Sequence, residues 1–352
     1  MASPIYPFVA IVGQTALRAS LCLVAADPRI GGLLLFGRRG TSKSTAVRGF
    51  AELLPEIEAP EGCPIQCLPG EPLGLCRACE NGGRPRPARV RAPLVTLPLG
   101  AAEDSVTGSL DIGRALAEGV RAFEAGCLGR AHRGVLYIDE VNLLEDHLVD
   151  LLLDAAASGT NVVEREGVSV THPASFLLVG SGNPQEGEIR PQLLDRFGLS
   201  VRVETLARED DRVEVARRRI AFDQDPGAFD LSWRGRSAEL RERIAAARAR
   251  IEKVALPDSG LSTVARVAAR LALEGHRGEI AWARAARALA ALLGEAEVGL
   301  PHLAATAALA LAHRLPQDVL DPQPALDRLA EAVEEALAFP GGGDLLSRSL
   351  GE

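Results

Sequence analysis

One short segment after an apolar run constrains this chain more than any other feature. The run Leu33 to Phe36 is followed by Gly37-Arg38-Arg39-Gly40-Thr41-Ser42-Lys43-Ser44, and a stretch with helical spacing begins at Thr45. A strand, a tight turn and a helix N-terminus in this order are typical of a phosphate-binding loop, because backbone N–H groups and the helix dipole then face the phosphates. The alternative is an ordinary glycine-rich turn between a strand and a helix.

If the segment binds a nucleotide, we expect Lys43 to bind the β and γ phosphate oxygens and the Ser44 hydroxyl to ligate Mg²⁺. The chain has Ser42 where the pattern Gly-x4-Gly-Lys-Ser/Thr has its second glycine. A side chain there predicts crowding of the phosphate or backbone strain. The remaining residues expected to contact the nucleotide from this loop are Gly37, Gly40, Thr41 and Thr45.

Composition narrows the class of protein. A length of 352 residues predicts two or three domains, and a net charge of −8 gives no general attraction to nucleic acid or anionic lipid. No apolar run approaches the roughly 20 residues that cross a bilayer, and the N-terminus lacks the basic start of a signal peptide. We therefore expect a cytoplasmic protein with no membrane span and no nucleic-acid partner.

The order of apolar and amphipathic segments predicts the fold class. Buried strands separated by helices favour a mostly parallel sheet covered on both faces, that is, an α/β domain. The predicted strands are Leu33–Phe36, Leu94–Leu97, Val135–Ile138 and Phe176–Gly180, and the predicted helices are Thr15–Ala26, Thr45–Leu54, Ala115–Ala122 and Asp146–Ala157. Residues 161–171 alternate as a β-hairpin around Glu166-Gly167.

The second part of the chain is rich in Ala, Leu and Arg at helical spacing, which predicts a separate all-helical domain. We place the nucleotide-binding domain at residues 1–225, a linker at 226–236 because of its Pro and Gly residues, and the helical domain at 237–352. Residues 55–92 form an insert in the first domain, crowded with Pro, Gly, Arg and Cys.

Polar residues follow two further predicted strands. Asp139 and Glu140 end the strand that begins at Val135, where Asp139 would hold Mg²⁺ through water and Glu140 would polarise the attacking water. Asn183 follows the strand that begins at Phe176 and could orient that water, although asparagine before proline also suits a plain turn. Arg196 is positioned to reach the γ-phosphate of a neighbouring subunit, or is a solvated arginine at a helix end.

Several runs resemble the AAA+ ATPase subunit (subunit I) of magnesium chelatase, and a related cobaltochelatase subunit is the nearest alternative. The resembling runs are 7–14, 40–48, RGVLYIDEVNLLEDHLVDLLLD at 133–154, 162–164 and GSGNPQEGEIRPQLLDRFG at 180–198. The resemblance implies an AAA+ P-loop domain followed by a helical lid. It also implies reduced or retuned nucleotide binding at Ser42 rather than none.

The resemblance also implies roles for residues. Val12, within 11–14, would flank the adenine, and Asn183 would be sensor 1. Arg196 would be the arginine finger, with Arg190 as a second candidate acting between subunits, and Arg284 would contact the nucleotide from the lid. The hairpin at 161–171 and the region 106–123 would face partners or the centre of the ring.

The function implied is an ATP-hydrolysing motor that drives insertion of Mg²⁺ into protoporphyrin IX. The implied cofactors are ATP and Mg²⁺. The implied partners are further copies in a hexameric ring, a second AAA+ subunit with an integrin-like domain, and a large tetrapyrrole-binding catalytic subunit. Three alternatives stay open. The first is cobalt insertion into a corrinoid precursor, the second a nucleotide-dependent assembly subunit that scarcely hydrolyses ATP because of Ser42, and the third an ATPase that remodels an unrelated protein complex.

Four cysteines of the insert are spaced Cys63-x3-Cys67-x8-Cys76-x2-Cys79. This spacing permits one tetrahedral zinc site, free or redox-active thiols, or an iron–sulfur cluster. The resemblance gives no support for a metal, because photosynthetic members of the family usually lack most of these cysteines. Cys22 and Cys127 are expected to be ordinary helix residues.

Overall fold

The computed structural model describes residues 4–71, 73–80, 86–110, 123–165, 168–183, 185, 191–315, 323–337 and 343–352. Within these residues no helix combines the length and the apolar character that a membrane crossing requires. The chain divides into two compact units, one formed by residues 1–53 and 180–352, the other by residues 54–179.

Eleven β-strands are present in the described residues. They are β1 Leu33–Phe36, β2 Ile57–Pro60, β3 Pro87–Val90, β4 Leu94–Leu97, β5 Gly108–Leu110, β6 Phe123–Ala125, β7 Val135–Ile138, β8 Thr160–Arg165, β9 Val168–Pro173, β10 Leu177–Gly182 and β11 Leu199–Arg202. Five of them form one sheet in the order β11-β1-β10-β7-β4. β1 pairs with β11 in parallel, from Leu33 opposite Leu199, and β4 pairs with β7 in parallel, from Leu94 opposite Val135. The predicted α/β class with a parallel sheet is confirmed.

Fourteen α-helices accompany these strands in the described part of the chain. They are α1 Thr15–Ala26, α2 Lys43–Ala51, α3 Arg77–Glu80, α4 Glu103–Thr107, α5 Cys127–Arg130, α6 Asp146–Ser158, α7 Pro191–Arg196, α8 Glu209–Gln224, α9 Pro226–Arg250, α10 Asp258–Arg270, α11 Arg277–Leu293, α12 Leu300–Leu311, α13 Gln323–Leu337 and α14 Gly343–Leu350.

In the unit formed by residues 1–53 and 180–352, α1 packs on β1 and β11 on one side and on α11 on the other. The centre of the helical part is Trp282 on α11, which is fully buried and donates its indole N–H to the carbonyl of Leu303, 2.8 Å away. Alanine dominates α11, so neighbouring helices approach it closely and the few large side chains fill the remaining space.

Residues 226–236, predicted to be a linker, are the first part of α9. Pro226 occupies the first turn, where its missing N–H costs nothing, and the side chain of Asp225 accepts a hydrogen bond from Ala228 N at 2.9 Å. Pro and Gly in this stretch therefore accompany a helix start, and a role of these residues as a linker between domains stays a prediction. The domain boundaries drawn from the sequence stay a prediction.

In residues 54–179, β7 is buried along its whole length. The predicted hairpin is confirmed as β8 paired antiparallel with β9, while its turn, Glu166-Gly167, lies outside the described residues. β5 and β6 form a second antiparallel pair, and the predicted helix 115–122 between them also lies outside the described residues. β2 and β3 pair within the insert, so the two ends of the insert lie side by side.

Candidate functional site

The segment between β1 and α2 has the backbone of a tight phosphate loop. Gly37 N donates to the carbonyl of Gly182 at 3.1 Å, and a Cβ at Gly37 would overlap the carbonyl oxygen of Val203. Gly40 has a φ of +81°, a left-handed conformation that glycine adopts without a steric penalty. The backbone at these two positions therefore depends on glycine.

Ser42 also lies in the left-handed region, with φ 66° and ψ 15°, and it is the residue before α2. A residue with a Cβ pays about 1–2 kcal/mol for this conformation, so Ser42 carries the backbone strain that the sequence predicted. Its side chain is exposed and makes no capping hydrogen bond to the helix. An anion at this helix start would supply the acceptor that a capping side chain normally provides.

The side chain of Lys43 turns back over the loop. Its ammonium donates to the carbonyl of Gly37 and to that of Arg38, the latter at 2.9 Å, while the Thr41 hydroxyl donates to the Arg38 carbonyl at 2.8 Å. The positive charge of Lys43 is thus held above the loop backbone. Ser44 and Thr45 follow in the first turn of α2, and both are half-buried.

The segment predicted to flank the adenine precedes α1. Gln14 has a φ of +51° and its side-chain amide donates to the carbonyl of Glu204 at 2.6 Å. Val12 is half-buried, so part of its side chain is accessible. The contact of this segment with a base stays a prediction.

The predicted acidic pair lies in the unit of residues 54–179, directly after β7. The Tyr137 hydroxyl, which is buried, donates to Asp139 Oδ1 at 2.9 Å and orients that carboxylate. Glu140 is half-buried and has a φ of +58°, which turns the chain sharply out of the strand. A left-handed residue with a side chain is uncommon outside functional sites and turns.

Asn183 follows β10 and is buried, with an exposed fraction of 5%. Its Oδ1 accepts a hydrogen bond from Gln185 N at 3.2 Å, the arrangement of a local asparagine turn. The preceding residue is Gly182, whose carbonyl accepts the hydrogen bond from Gly37 N. Asn183 therefore directly follows a residue that is bonded to the phosphate loop. Its part in orienting water stays a prediction.

Asp195, at the end of α7, is a residue that the sequence did not single out. Its Oδ1 accepts from Arg314 Nε at 3.2 Å and its Oδ2 from Arg277 at 3.2 Å, while Arg314 also donates to its backbone carbonyl at 2.9 Å. Burial lowers the pKa of Arg314 from its ordinary value, and Asp195 opposes this effect. Two lid arginines therefore fix the residue next to Arg196, the candidate arginine finger, which is half-buried. Arg190, the second candidate, lies outside the described residues.

The predicted lid arginine, Arg284, lies on α11 and donates to the backbone carbonyl of Arg29. It lines an open cavity of about 500 Å³ together with Glu279 and Arg287. Its contact with a nucleotide stays a prediction. The pairing of Arg277 with Asp195 carries no sequence signal, because 82 positions separate the two residues.

The four cysteines of the insert lie together. Three are buried, at Cys63, Cys67 and Cys79, and Cys76 is half-buried. Cys22 and Cys127, by contrast, are buried in α1 and α5 as ordinary helix residues.

The parallel sheet, the loop after β1 and the helical C-terminal region define an AAA-type ATPase. The family model described as AAA lid domain matches residues 261–336, and the one described as magnesium chelatase, subunit ChlI, matches residues 109–191. The resemblance found in the sequence is therefore confirmed at both places.

Relatives cover nearly the whole chain. The magnesium-chelatase 38 kDa subunit of Acidiphilium rubrum is 53% identical over 95% of this chain and 96% of its own length, and that of Rhodobacter capsulatus is 53% identical over 95% of each. A cryo-EM-based structure of the complex between subunits BchI and BchD of magnesium chelatase contains a chain that is 51% identical, with a TM-score of 0.55, covering 95% of this chain and 99% of that one. The chain belongs to the magnesium-chelatase subunit ChlI family.

Proposed function

We propose that this chain is the ATP-hydrolysing motor subunit of a chelatase that inserts Mg²⁺ into protoporphyrin IX. The observation that carries the proposal is 53% identity to magnesium-chelatase 38 kDa subunits over nearly the full length of both chains. The backbone of the loop after β1, with left-handed residues at Gly40 and Ser42 and a lysine above it, supports nucleotide binding independently of the names of the relatives.

The residues present fit a Mg²⁺–nucleotide. When bound, Mg²⁺ neutralises phosphate charge and aligns the terminal phosphate for attack. Lys43 would exchange its bonds to the loop carbonyls for bonds to phosphate oxygens, and the Ser44 hydroxyl would ligate the metal. The loop backbone at Gly40, Thr41 and Ser42 and the start of α2 at Thr45 would donate hydrogen bonds to the phosphates. Gly37, whose N–H is bonded to the carbonyl of Gly182, would shape the start of the loop.

The remaining groups act on the attacking water and on transition-state charge. Asp139, oriented by Tyr137, would hold the hydrated Mg²⁺, and Glu140 would accept a proton from the attacking water as general base. Asn183 orients that water. Arg196 would reach the nucleotide site of a neighbouring subunit. Arg284 would contact the nucleotide from the lid, and Val12 would lie beside the adenine.

Assembly follows from this division of roles. An arginine that acts between subunits requires a neighbouring copy in a head-to-tail contact, and such contacts close into rings when the rotation permits. We propose a ring of six copies. The solved complex of BchI with BchD supports a different subunit as a partner. We propose that this partner is a second AAA+ subunit with an integrin-like domain. A large catalytic subunit would bind the tetrapyrrole, and the assembly would work in the cytoplasm.

The test is reconstitution with the two partner subunits, with Mg²⁺ and Co²⁺ insertion measured separately. We expect ATP-dependent Mg²⁺ insertion that is lost in Glu140→Gln. Insertion of Co²⁺ alone into a corrinoid precursor would instead identify a cobaltochelatase subunit. Insertion that proceeds with background ATP turnover would favour the assembly role that Ser42 left open.

A further inference from the structure

The sulfur atoms of the four cysteines in the insert lie close together, and three of them form one compact group. Cys63 Sγ lies 3.6 Å from Cys76 Sγ and 3.7 Å from Cys79 Sγ. The sulfur atoms of Cys63, Cys67 and Cys79 all lie within 4.8 Å of one another. Zn–S bonds of about 2.3 Å in a tetrahedron give sulfur–sulfur edges of about 3.8 Å. The spacing of Cys63, Cys67 and Cys79 is compatible with ligation of one metal ion. Cys76 lies outside this group of three, but its sulfur is 3.6 Å from that of Cys63, which makes it the candidate fourth ligand.

We propose that this cluster is a structural zinc site in which all four ligands are cysteine thiolates, those of Cys63, Cys67, Cys76 and Cys79. Four protein ligands close the coordination shell and leave no position for a substrate, which distinguishes a structural site from a catalytic one. The proposal is independent of the proposed function, because neither ATP nor the tetrapyrrole takes part in it.

The local backbone supports this coordination. The pairs Cys63–Cys67 and Cys76–Cys79 each end a tight turn, with Gln66 N donating to the Cys63 carbonyl at 3.3 Å and Cys79 N to the Cys76 carbonyl at 2.8 Å. The Cys63 sulfur accepts hydrogen bonds from backbone N–H groups of Cys67 and Ile65. Such bonds to a ligand sulfur orient it and stabilise its negative charge.

The geometry favours one ion over the other possibilities. An iron–sulfur cluster distributes its cysteines over different iron atoms, so its sulfur ligands lie farther apart than the edge of a single tetrahedron. All four thiols are free in the structure, without a disulfide among them. A tetrahedral site of four sulfurs is typical of zinc.

The site would fasten the insert to its surroundings. The cluster shares an apolar core with Ile65, Leu75 and Val170 of β9, and partly buried Leu110 and Phe123 of the β5–β6 pair pack against it. Arg133, two residues before β7, donates to the carbonyl of Gln66 at 3.2 Å and to that of Glu58 at 2.6 Å. The zinc ion would therefore stabilise the packing of the β8–β9 hairpin, the β5–β6 pair and the start of β7.

The experiment measures metal in the full-length, untagged chain by mass spectrometry of the elements. We expect one zinc ion per chain in the wild type and a loss of at least nine-tenths of it (roughly tenfold weaker retention or more) in Cys67→Ser and Cys79→Ser. Cys22→Ser and Cys127→Ser are the matched controls, because they remove equally buried thiols outside the cluster and should keep the metal.

A second measurement covers the case in which the cluster variants fail to fold. Zinc is released from the wild-type chain by a thiol reagent, the reagent is reversed, and Co²⁺ is added. We expect the intense visible bands of tetrahedral, thiolate-bound Co²⁺, and faster proteolysis within residues 55–92 in the metal-free chain, reversed by zinc. A metal-free wild type, iron with inorganic sulfide, disulfides among these cysteines, or equal zinc loss in the controls would overturn the proposal.

Discussion

The guanidinium of Arg314 holds the carboxylate of Asp195, with 3.2 Å between Nε and Oδ1. The Arg314 side chain is 5% exposed, so most of its charge is removed from water, whereas the second partner, Arg277, is 62% exposed. The helical region is therefore tied by charge to the residue beside the candidate arginine finger.

We expect Asp195→Asn to lower the free energy of unfolding by roughly 1–3 kcal/mol, because it leaves a buried guanidinium without its counter-charge. Double-mutant cycles with Arg314→Gln and Arg277→Gln, followed by denaturant unfolding, measure each pair. The coupling should be larger for Arg314, since an exposed ion pair contributes about 0–1 kcal/mol. Equal, near-zero couplings would show that Arg314 does not depend on Asp195.

Ser42→Gly should relieve the left-handed strain before α2 and lower the KM for ATP. The gain in stability should be modest, about 1 kcal/mol, because glycine also increases the entropy of the unfolded chain. Ser42→Ala is the matched control, since it removes the hydroxyl and keeps the Cβ. If alanine improves nucleotide binding as much as glycine does, the hydroxyl and not the backbone limits binding.

The sheet could be predicted strand by strand where the signal was local. β1, β4 and β7 begin and end where the sequence placed them, because each is a short apolar run between turn residues. β11, Leu199–Arg202, was missed because its two apolar residues alternate with Ser200 and Arg202, and so short an alternation is hard to separate from the adjoining turn. β2 and β3 were missed because their prolines and charges suggested an irregular insert.

The sequence contains a signal for the start of α9, but these residues were assigned to a linker. Asp225 before Pro226 is a common helix N-terminus, but the glycines that follow favoured a linker. The distances among the cysteine sulfurs and the pairing of Asp195 with Arg314 could not be predicted, because they depend on the tertiary fold. The latter pair is separated by 119 positions.

Lys43→Ala should abolish both nucleotide binding and ATP turnover, because it removes the charge held above the loop. Lys253→Ala is the control: Lys253 is exposed in a short turn of helix and should leave both unchanged. Binding is measured with a fluorescent nucleotide and turnover by phosphate release. Undiminished turnover in Lys43→Ala would refute the assigned loop.

Glu140→Gln should separate the two activities. It keeps the shape of the side chain but removes the proposed base, so turnover should fall by roughly 10²–10⁴-fold while nucleotide binding persists. A variant that hydrolyses ATP at the wild-type rate would assign the base to another residue. Loss of binding together with turnover would point to a structural role for this left-handed residue.

Buried histidines should make the fold sensitive to acid. Burial lowers the pKa of His313 from 6.5 to about 3, helped by the charge of Arg314, and lowers that of His132 to about 4. Both histidines are neutral in the fold, so their contribution to the free energy of unfolding is fully present above pH 6.5. Between pH 6.5 and the lowered pKa values only the unfolded chain takes up these protons, and the free energy of unfolding therefore falls as the pH drops. Each histidine should add a slope of about 1.4 kcal/mol per pH unit within its window.

Urea unfolding at pH values from roughly 7 to roughly 4 measures the slope of the free energy of unfolding against pH in this range. His313→Gln should reduce the slope by about 1.4 kcal/mol per pH unit, the contribution of one proton, even if the substitution lowers the free energy of unfolding at every pH. His147→Gln is the control, because the His147 side chain is 57% exposed. An unchanged slope in His313→Gln would mean that His313 is protonated in the fold, which would contradict its burial between Arg314 and the carbonyl of Phe197, 3.0 Å from its Nε2.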